Sequence, residues 1–116
     1  MKKLLNSFIF AFKGLVITWK EEINFRIEVV IGTLVIFCTV YFHFTFIESL
    51  FCILAITLVL ISEILNTAIE DLCNKIEPNQ DLVIGKIKDI TAGFTLISVL
   101  SAVVIGLVVF HHHFLL

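Results

Sequence analysis

The sequence has 116 residues, 59% of them hydrophobic, and a formal net charge of −2. A chain of this length supports one domain, and its mean hydropathy of +1.11 excludes an ordinary soluble globular protein and indicates an integral membrane protein. The small net charge gives no sign of nucleic-acid binding, and the three cysteines form neither a metal motif nor a disulfide framework.

The first 28 residues predict an amphipathic helix at the membrane surface. Apolar side chains recur at helical spacing from Leu4 to Trp19, while the lysines lie largely off that stripe. Such a helix lies in the headgroup plane, with Trp19 at the interface and the lysines toward anionic phosphates. Charged residues interrupt any clean apolar core, so the segment is not a signal peptide.

Three apolar segments follow, and each is long enough to cross a bilayer as a helix. The first, residues 29–47, carries no charge and reaches roughly 28 Å as a helix. A short turn near Glu48 and a polar connection containing Pro78 separate the segments. The sequence therefore predicts a single all-α integral membrane domain, an amino-terminal amphipathic surface helix plus three transmembrane helices. The predicted segments are 1–28 for the arm and 29–47, 49–72 and 90–110 for the spans.

Basic residues are confined to the amino-terminal segment and the second connection. By the positive-inside rule, both of these regions are cytoplasmic and the carboxyl-terminal end is outside. His111–His113 lie at that end, and we interpret them as a solvated interfacial terminus rather than a metal site. The 8 basic residues are Lys2, Lys3, Lys13, Lys20, Arg26, Lys75, Lys86 and Lys88.

A polar face interrupts the second span near its cytoplasmic end. On a helix, Glu63, Asn66, Thr67 and Glu70 share one face of roughly 100°. A carboxylate inside a membrane helix costs about 3 kcal/mol, so this face is the best candidate for a site. The alternative is that Glu63 is protonated, or bonded to a neighbouring helix, and has no further role.

The predicted topology brings three sets of charged side chains to the cytoplasmic side. Carboxylates from two segments can hold Mg²⁺, a lysine can neutralise phosphate charge, and a deeper carboxylate can accept a proton from a lipid hydroxyl. These are the parts of a phosphoryl-transfer site, although the chain has no P-loop. Spacing alone leaves a proton or ion pathway open. The three sets are Glu22 and Glu28, Glu63 and Glu70, and the pair Lys88 and Asp89.

Residues 63–70, EILNTAIE, resemble a family signature. The pattern E-x-[LIVM]-N-[ST]-[SA]-[LIV]-E belongs to the small bacterial membrane kinases that include diacylglycerol kinase and undecaprenol kinase, and every position matches. Similar residues at 12–14, 22–28 and 85–89 extend the resemblance over nearly the whole chain. It implies a lipid kinase that uses ATP and Mg²⁺ in the bacterial cytoplasmic membrane. It also implies a homotrimer with sites shared between neighbouring subunits.

The resemblance implies roles for individual residues. Glu63 matches the catalytic base that deprotonates the lipid hydroxyl, and Glu22 and Glu70 match the carboxylates that hold ATP-bound Mg²⁺. Asn66 matches a polar residue beside the base, and Glu28 matches an acidic position near the lipid-binding interface. The implied ATP-binding residues are Lys3, Glu22, Glu70, Asp81, Lys88 and Asp89.

The sequence departs from the family pattern at a few positions. Asn74 stands where the signature commonly has an aspartate, and Asp81 where a histidine is often found. Lys3 is the best match for the basic residue expected near the amino terminus. Diacylglycerol and undecaprenol both fit as acceptors. There are two alternatives to a lipid kinase. One is an inactive family member, and the other is a non-enzymatic transporter or scaffold that uses Glu63 as a proton-binding carboxylate.

Overall fold

The protein is described by a computed structural model of residues 1–116 that consists of four α-helices and no strands. The helices are α1 (Lys2–Glu21), α2 (Ile23–Tyr41), α3 (Phe46–Ile76) and α4 (Leu82–Leu115). The last three are long and apolar enough to cross a membrane. The predicted fold class, an amphipathic surface helix followed by three membrane-spanning helices, is therefore confirmed.

A single extended residue, Glu22, separates α1 from α2. Its φ of −117° and ψ of 110° end the first helix, and its N–H still donates to the carbonyl of Thr18 at 2.9 Å. Residues 23–28, which the sequence assigned to the amphipathic arm, instead form the first turns of α2. The two helices suit different surroundings, because α1 has one polar side whereas α2 is apolar nearly all round, and the chain turns between them.

The other helices also extend beyond the apolar segments that predicted them. α3 runs over Phe46–Ile76 and contains the predicted span 49–72, and α4 begins at Leu82, eight residues before the predicted span 90–110. Oδ2 of Asp81 fixes this start, since it accepts hydrogen bonds from the N–H groups of Val83 and Ile84, each at 3.0 Å. A charge-free run of residues identifies only the part of a helix that is suited to hydrocarbon. The capping residues identify where the helix begins or ends.

α3 is the central helix and packs against α1, α2 and α4. It approaches α2 closely at Gly32, where an added Cβ would lie 2.9 Å from Cγ2 of Ile56. Several buried side chains of α3 are small or polar, among them Ser62, Glu63 and Thr67. Most large apolar side chains instead face outward, as expected of helices that contact lipid or neighbouring helices.

At the amino-terminal end of α3, the last turns of α4 contact the α2–α3 turn. Nδ1 of His112 and Nδ1 of His113 each lie 2.9 Å from an oxygen of Glu48. The prediction of a solvated terminus holds for the exposed His111 but is wrong for His113, whose side chain is only 18% exposed. No local pattern reveals this contact, because the partners are 64 and 65 residues apart in the chain.

Candidate functional site

Glu63 is a buried carboxylate in the polar face of α3, with 4% of its surface exposed. The Thr67 hydroxyl donates to the carbonyl of Glu63 at 2.9 Å, and the Ser62 hydroxyl donates to the backbone as well, so neither serves the carboxylate. Both ion pairs in the structure involve Glu48, which leaves Glu63 without a cationic partner. The side chain of Glu63 therefore forms no ion pair or hydrogen bond with a neighbouring helix of this chain that would account for its burial. Its carboxylate is free to accept a proton.

The four carboxylates that the sequence grouped together occupy one region, around the α1–α2 junction and the facing part of α3. Glu22 and Glu70 lie close enough to Glu63 to interact with it electrostatically, and Glu28 interacts with Glu63 and Glu22 in the same way. None of the four is paired with a lysine or arginine. The result is a group of four carboxyl side chains without ion-pair partners, called the acidic cluster below.

The acidic cluster fits a magnesium ion that shares its coordination with phosphate. No three acidic, histidine or cysteine side chains enclose a metal site by themselves. Mg²⁺ commonly takes only one or two protein carboxylates and completes its shell with water and phosphate oxygens. Two unpaired carboxylates, such as the predicted metal ligands Glu22 and Glu70, are the kind of donor set that such an ion requires.

Three polar atoms near the acidic cluster are buried without a hydrogen-bond partner. They are Nε of Arg26, Oε2 of Glu28 and Oδ1 of Asn66. Leaving such a group unsatisfied costs about 1–3 kcal/mol, so native proteins seldom do so without a reason. A bound ligand or a neighbouring subunit that supplied the missing partners would remove this cost.

The ATP-binding residues predicted on α4 line a separate groove at the start of that helix. The groove is open, has a volume of about 970 Å³, and includes Asp81, Lys88 and Asp89 in its wall. Nζ of Lys88 donates to Oδ1 of Asn74 at 2.6 Å. Asn74 lies one helical turn beyond Glu70 on α3, so this bond links the groove to the acidic cluster.

Glu28 lies at one end of a second groove, which is narrow and apolar. Its volume is about 290 Å³ and its walls come from α2, α3 and α4, including Gly32, Ala55 and Ala102. A groove of this kind suits a hydrocarbon chain better than a polar ligand. The lining of the larger groove at α4 consists mostly of polar and charged residues, so the two grooves differ in chemical character.

Lys3 is the one predicted site residue that the structure does not bring to the others. It is exposed in the first turn of α1, and only its backbone carbonyl takes part in a hydrogen bond, with the hydroxyl of Ser7. Conversely, sequence reasoning gave no site role to Arg26, which has a buried unpartnered Nε. The feature of the sequence that could have pointed to Arg26 is its position two residues before Glu28, at the start of an apolar segment.

α1 meets α3 beside the acidic cluster through a second pair of carboxyl groups. A hydrogen bond with the Asp71 carboxyl raises the pKa of Glu21, and the negative charges of Asp71 and Glu22 add to the effect. Two carboxyl groups held this close favour sharing a proton over carrying two charges. The proximity adds to the negative potential at this end of the molecule.

Comparisons with known proteins agree on one family. The family model described as prokaryotic diacylglycerol kinase matches residues 9–110. The diacylglycerol kinase of Escherichia coli strain K12 is 29% identical over 112 residues, which is 97% of this chain and 92% of that protein. That of Haemophilus influenzae is 31% identical over 86 residues, covering 74% of this chain and 73% of that protein. That of a Synechocystis species is 34% identical over 104 residues, covering 89% of this chain and 59% of the longer relative.

Proposed function

Because the chain belongs to the prokaryotic diacylglycerol kinase family and is a lipid kinase, we propose that it transfers the γ-phosphoryl group of ATP to a lipid hydroxyl in a Mg²⁺-dependent reaction. Diacylglycerol is the first candidate acceptor, since the relatives bear that name, and undecaprenol is the second. The observation that carries the proposal is the buried, unpaired Glu63 within the acidic cluster.

Glu63 acts as the general base in this mechanism. The lipid hydroxyl approaches from the apolar side, and Glu63 accepts its proton as the oxygen attacks the γ-phosphorus. The bond between that phosphorus and the bridging oxygen of ADP breaks, and the products are the phosphorylated lipid and ADP. Because the single hydroxyl proton goes to Glu63, Asn66 would orient the hydroxyl by donating its amide N–H to the hydroxyl oxygen. The unpartnered Oδ1 of Asn66 and Oε2 of Glu28 would accept hydrogen bonds from other donors at the lipid-binding surface.

Charge at the phosphates is balanced by groups from both regions of the site. Glu22 and Glu70 would hold Mg²⁺, which would supply positive charge to offset the charge that develops on the phosphates. The ammonium of Lys88 supplies a second positive charge and remains unpaired with any carboxylate in the structure. Asp81 and Asp89, which lie in the polar groove, and Lys3 at the start of α1 are proposed to contact the nucleotide.

We place the protein in the bacterial cytoplasmic membrane, with the amino terminus inside and the carboxyl-terminal end outside. The segregation of the basic residues supports this orientation. We also propose a homotrimer, in which neighbouring subunits supply partners for the buried polar atoms and cover the outward-facing apolar side chains. In this arrangement a complete site draws on more than one chain.

The proposal is tested by transfer of labelled phosphate from ATP in mixed micelles containing Mg²⁺, with diacylglycerol and undecaprenol offered in parallel. Replacing Glu63→Gln keeps the shape of the side chain but removes the base, and we expect kcat to fall about 10²- to 10⁴-fold. Glu48→Gln is the matched control, because Glu48 is an equally buried glutamate on the same helix. We expect that variant to retain activity within about twofold.

The outcome also distinguishes the alternative functions. Transfer to either lipid that is lost in Glu63→Gln supports the proposal and names the acceptor. Folded protein that transfers phosphate to neither lipid would exclude the proposed reaction with these acceptors. Proton flux across liposomes without nucleotide, abolished by the same substitution, would then support a proton pathway through Glu63, and its absence would support an inactive family member.

A further inference from the structure

Glu48 is a second buried carboxylate, far along α3 from Glu63. It is 5% exposed and takes part in the cap of α3: Oε1 accepts the N–H of Thr45 at 2.8 Å, and the Thr45 hydroxyl accepts the N–H of Glu48 at 3.2 Å. The same carboxylate is reached from α4, by Nδ1 of His112 at its Oε2 and by Nδ1 of His113 at its Oε1. None of these groups takes part in the lipid-kinase reaction proposed above.

The hydrogen-bonding partners of His113 determine how many protons this cluster holds. Nε2 of His113 lies 2.9 Å from the carbonyl oxygen of Phe42, while its Nδ1 lies 2.9 Å from Glu48. A carbonyl and an ionised carboxylate only accept hydrogen bonds, and a neutral imidazole has a single N–H to donate. Both contacts of His113 are satisfied only when its ring carries two protons. The N–H of Thr45 already donates to Oε1 of Glu48, the oxygen that faces His113, so we assign the additional proton to His113 and not to Glu48.

Packing holds the His113 ring in this orientation. The ring stacks on Phe44 with centroids 4.1 Å apart and an interplanar angle of 23°, and it meets Phe114 edge-on at 4.7 Å. Turning the ring out of this plane to give one of its nitrogens to water would break the stack. The hydrogen bonds and the aromatic contacts therefore form or break together.

No other charged or titratable group near Glu48, His112 and His113 could donate the hydrogen bond that the proton on His113 provides. From α3, Cys52 lies one turn beyond Glu48, and from the α2–α3 turn His43 is exposed with a φ of 55°. Tyr41 at the end of α2 packs edge-on against Phe42, and His111 on α4 is exposed. No lysine or arginine is paired with Glu48.

We propose that Glu48, His112 and His113 form a proton-binding site that fastens the end of α4 to the α2–α3 turn. The bound proton resides on His113 when the two segments are docked and is released when they separate. Since the docked form holds one proton more than the released form, acidic pH favours docking and rising pH opposes it. At any pH where the docked form holds this proton and the released form does not, the ratio of docked to released protein falls by up to about tenfold per pH unit.

The test uses the full chain in lipid bilayers with ¹⁵N-labelled histidine. The ring ¹⁵N signals of His113 report how many ring nitrogens carry protons, and magnetisation transfer between the His113 and Phe44 rings reports docking. We expect both ring nitrogens of His113 to be protonated whenever the ring contact is present, and the contact to weaken as the pH is raised from about 6 to about 9.

Glu48→Gln separates a proton-dependent contact from simple packing. The glutamine amide can donate to Nδ1 of a neutral His113 while Nε2–H still donates to Phe42, although its nitrogen then takes the place of Oε1 and gives up the bond from the N–H of Thr45. We therefore expect the variant to dock with a single ring proton, and its docked fraction to change less than about twofold over the same pH range. His111→Gln, at an exposed position, should behave as the unsubstituted protein. A docked His113 with one bare nitrogen, or equal pH dependence in Glu48→Gln, would overturn the proposal.

Discussion

At the scale of single residues, the contact between Lys88 and Asn74 pairs a cation with a neutral amide. The amide oxygen orients the ammonium group, at 2.6 Å, without cancelling its charge. An aspartate at the same position would form an ion pair and compete with phosphate for the lysine. Asn74 thus holds Lys88 in place while leaving its charge available to the nucleotide.

We expect Asn74→Ala to raise KM for ATP by about fivefold, because a hydrogen bond of this kind contributes about 1 kcal/mol. The value of kcat should change less, since the base and the metal carboxylates are untouched. Steady-state kinetics at varied ATP concentration measures both parameters. Asn6→Ala is the matched control, because Asn6 is exposed on α1 and belongs neither to the groove at α4 nor to the Lys88 contact. Equal kinetics in the two variants would show that the Asn74 contact has no part in nucleotide binding.

At the scale of elements, the packing of α2 on α3 depends on the absence of a side chain at Gly32. A Cβ there would lie 2.9 Å from Cγ2 of Ile56, a branch close to the backbone that cannot swing away as the end of a long side chain could. Gly93, on α4, has no atom within 4 Å of the corresponding position. The two glycines therefore differ in packing although both lie within membrane-spanning helices.

We expect Gly32→Ala to destabilise the protein by about 1–3 kcal/mol through overpacking. Gly93→Ala should be neutral or slightly stabilising, because alanine favours a helix over glycine by about 1 kcal/mol. Unfolding of both variants by a denaturing detergent in mixed micelles provides the comparison. If the two substitutions changed the free energy of unfolding equally, α2 and α3 would not approach each other closely at Gly32.

The meeting of α1 and α3 predicts a dependence of stability on pH. Contact with Asp71 raises the pKa of Glu21 in the folded protein. Because the folded state then holds its proton more tightly than the unfolded state, Glu21 favours folding at acidic pH, and this contribution is lost as the pH rises through the raised pKa. Thermal unfolding of Glu21→Gln should therefore differ from that of the unsubstituted protein by an amount that changes with pH in the acidic range. Glu77→Gln serves as the control, because the Glu77 carboxylate accepts the N–H of Asn79 at 3.2 Å and takes no part in the contact between Glu21 and Asp71. A constant difference for Glu21→Gln would contradict the prediction.

At the scale of the whole molecule, the features that sequence could predict are those set by local periodicity and charge. Long charge-free runs identified the three spans, and a repeat of about 3.6 residues placed Glu63 and Thr67 on one face of α3. The structure buries both of these residues and leaves Asn66 and Glu70 half-buried. The signature at 63–70 identified the family because it combines that face with specific residue types.

Features that depend on distant contacts or on single backbone angles could not be predicted in this way. The break at Glu22 is one extended residue between two helical patterns, and no turn residue marks it. α4 begins well before its apolar run because its first turns are polar and capped by Asp81. The bonds from Glu48 to His112 and from Asn74 to Lys88 join separate helices, so only tertiary structure reveals them.

The acidic cluster also makes a prediction about the stability of the whole molecule. It gathers negative charge from the α1–α2 junction and α3, so a bound cation and nucleotide would tie these elements together. At about 100 times its dissociation constant, a ligand that binds only the folded state stabilises it by about 2.7 kcal/mol. We therefore expect Mg²⁺ with a non-hydrolysable ATP analogue to raise the thermal unfolding midpoint, and Glu70→Gln to lose most of that increase. Glu48→Gln, whose substitution lies outside the cluster, should keep it. An equal increase in both variants would remove Glu70 from the metal-binding set even if phosphate transfer were intact.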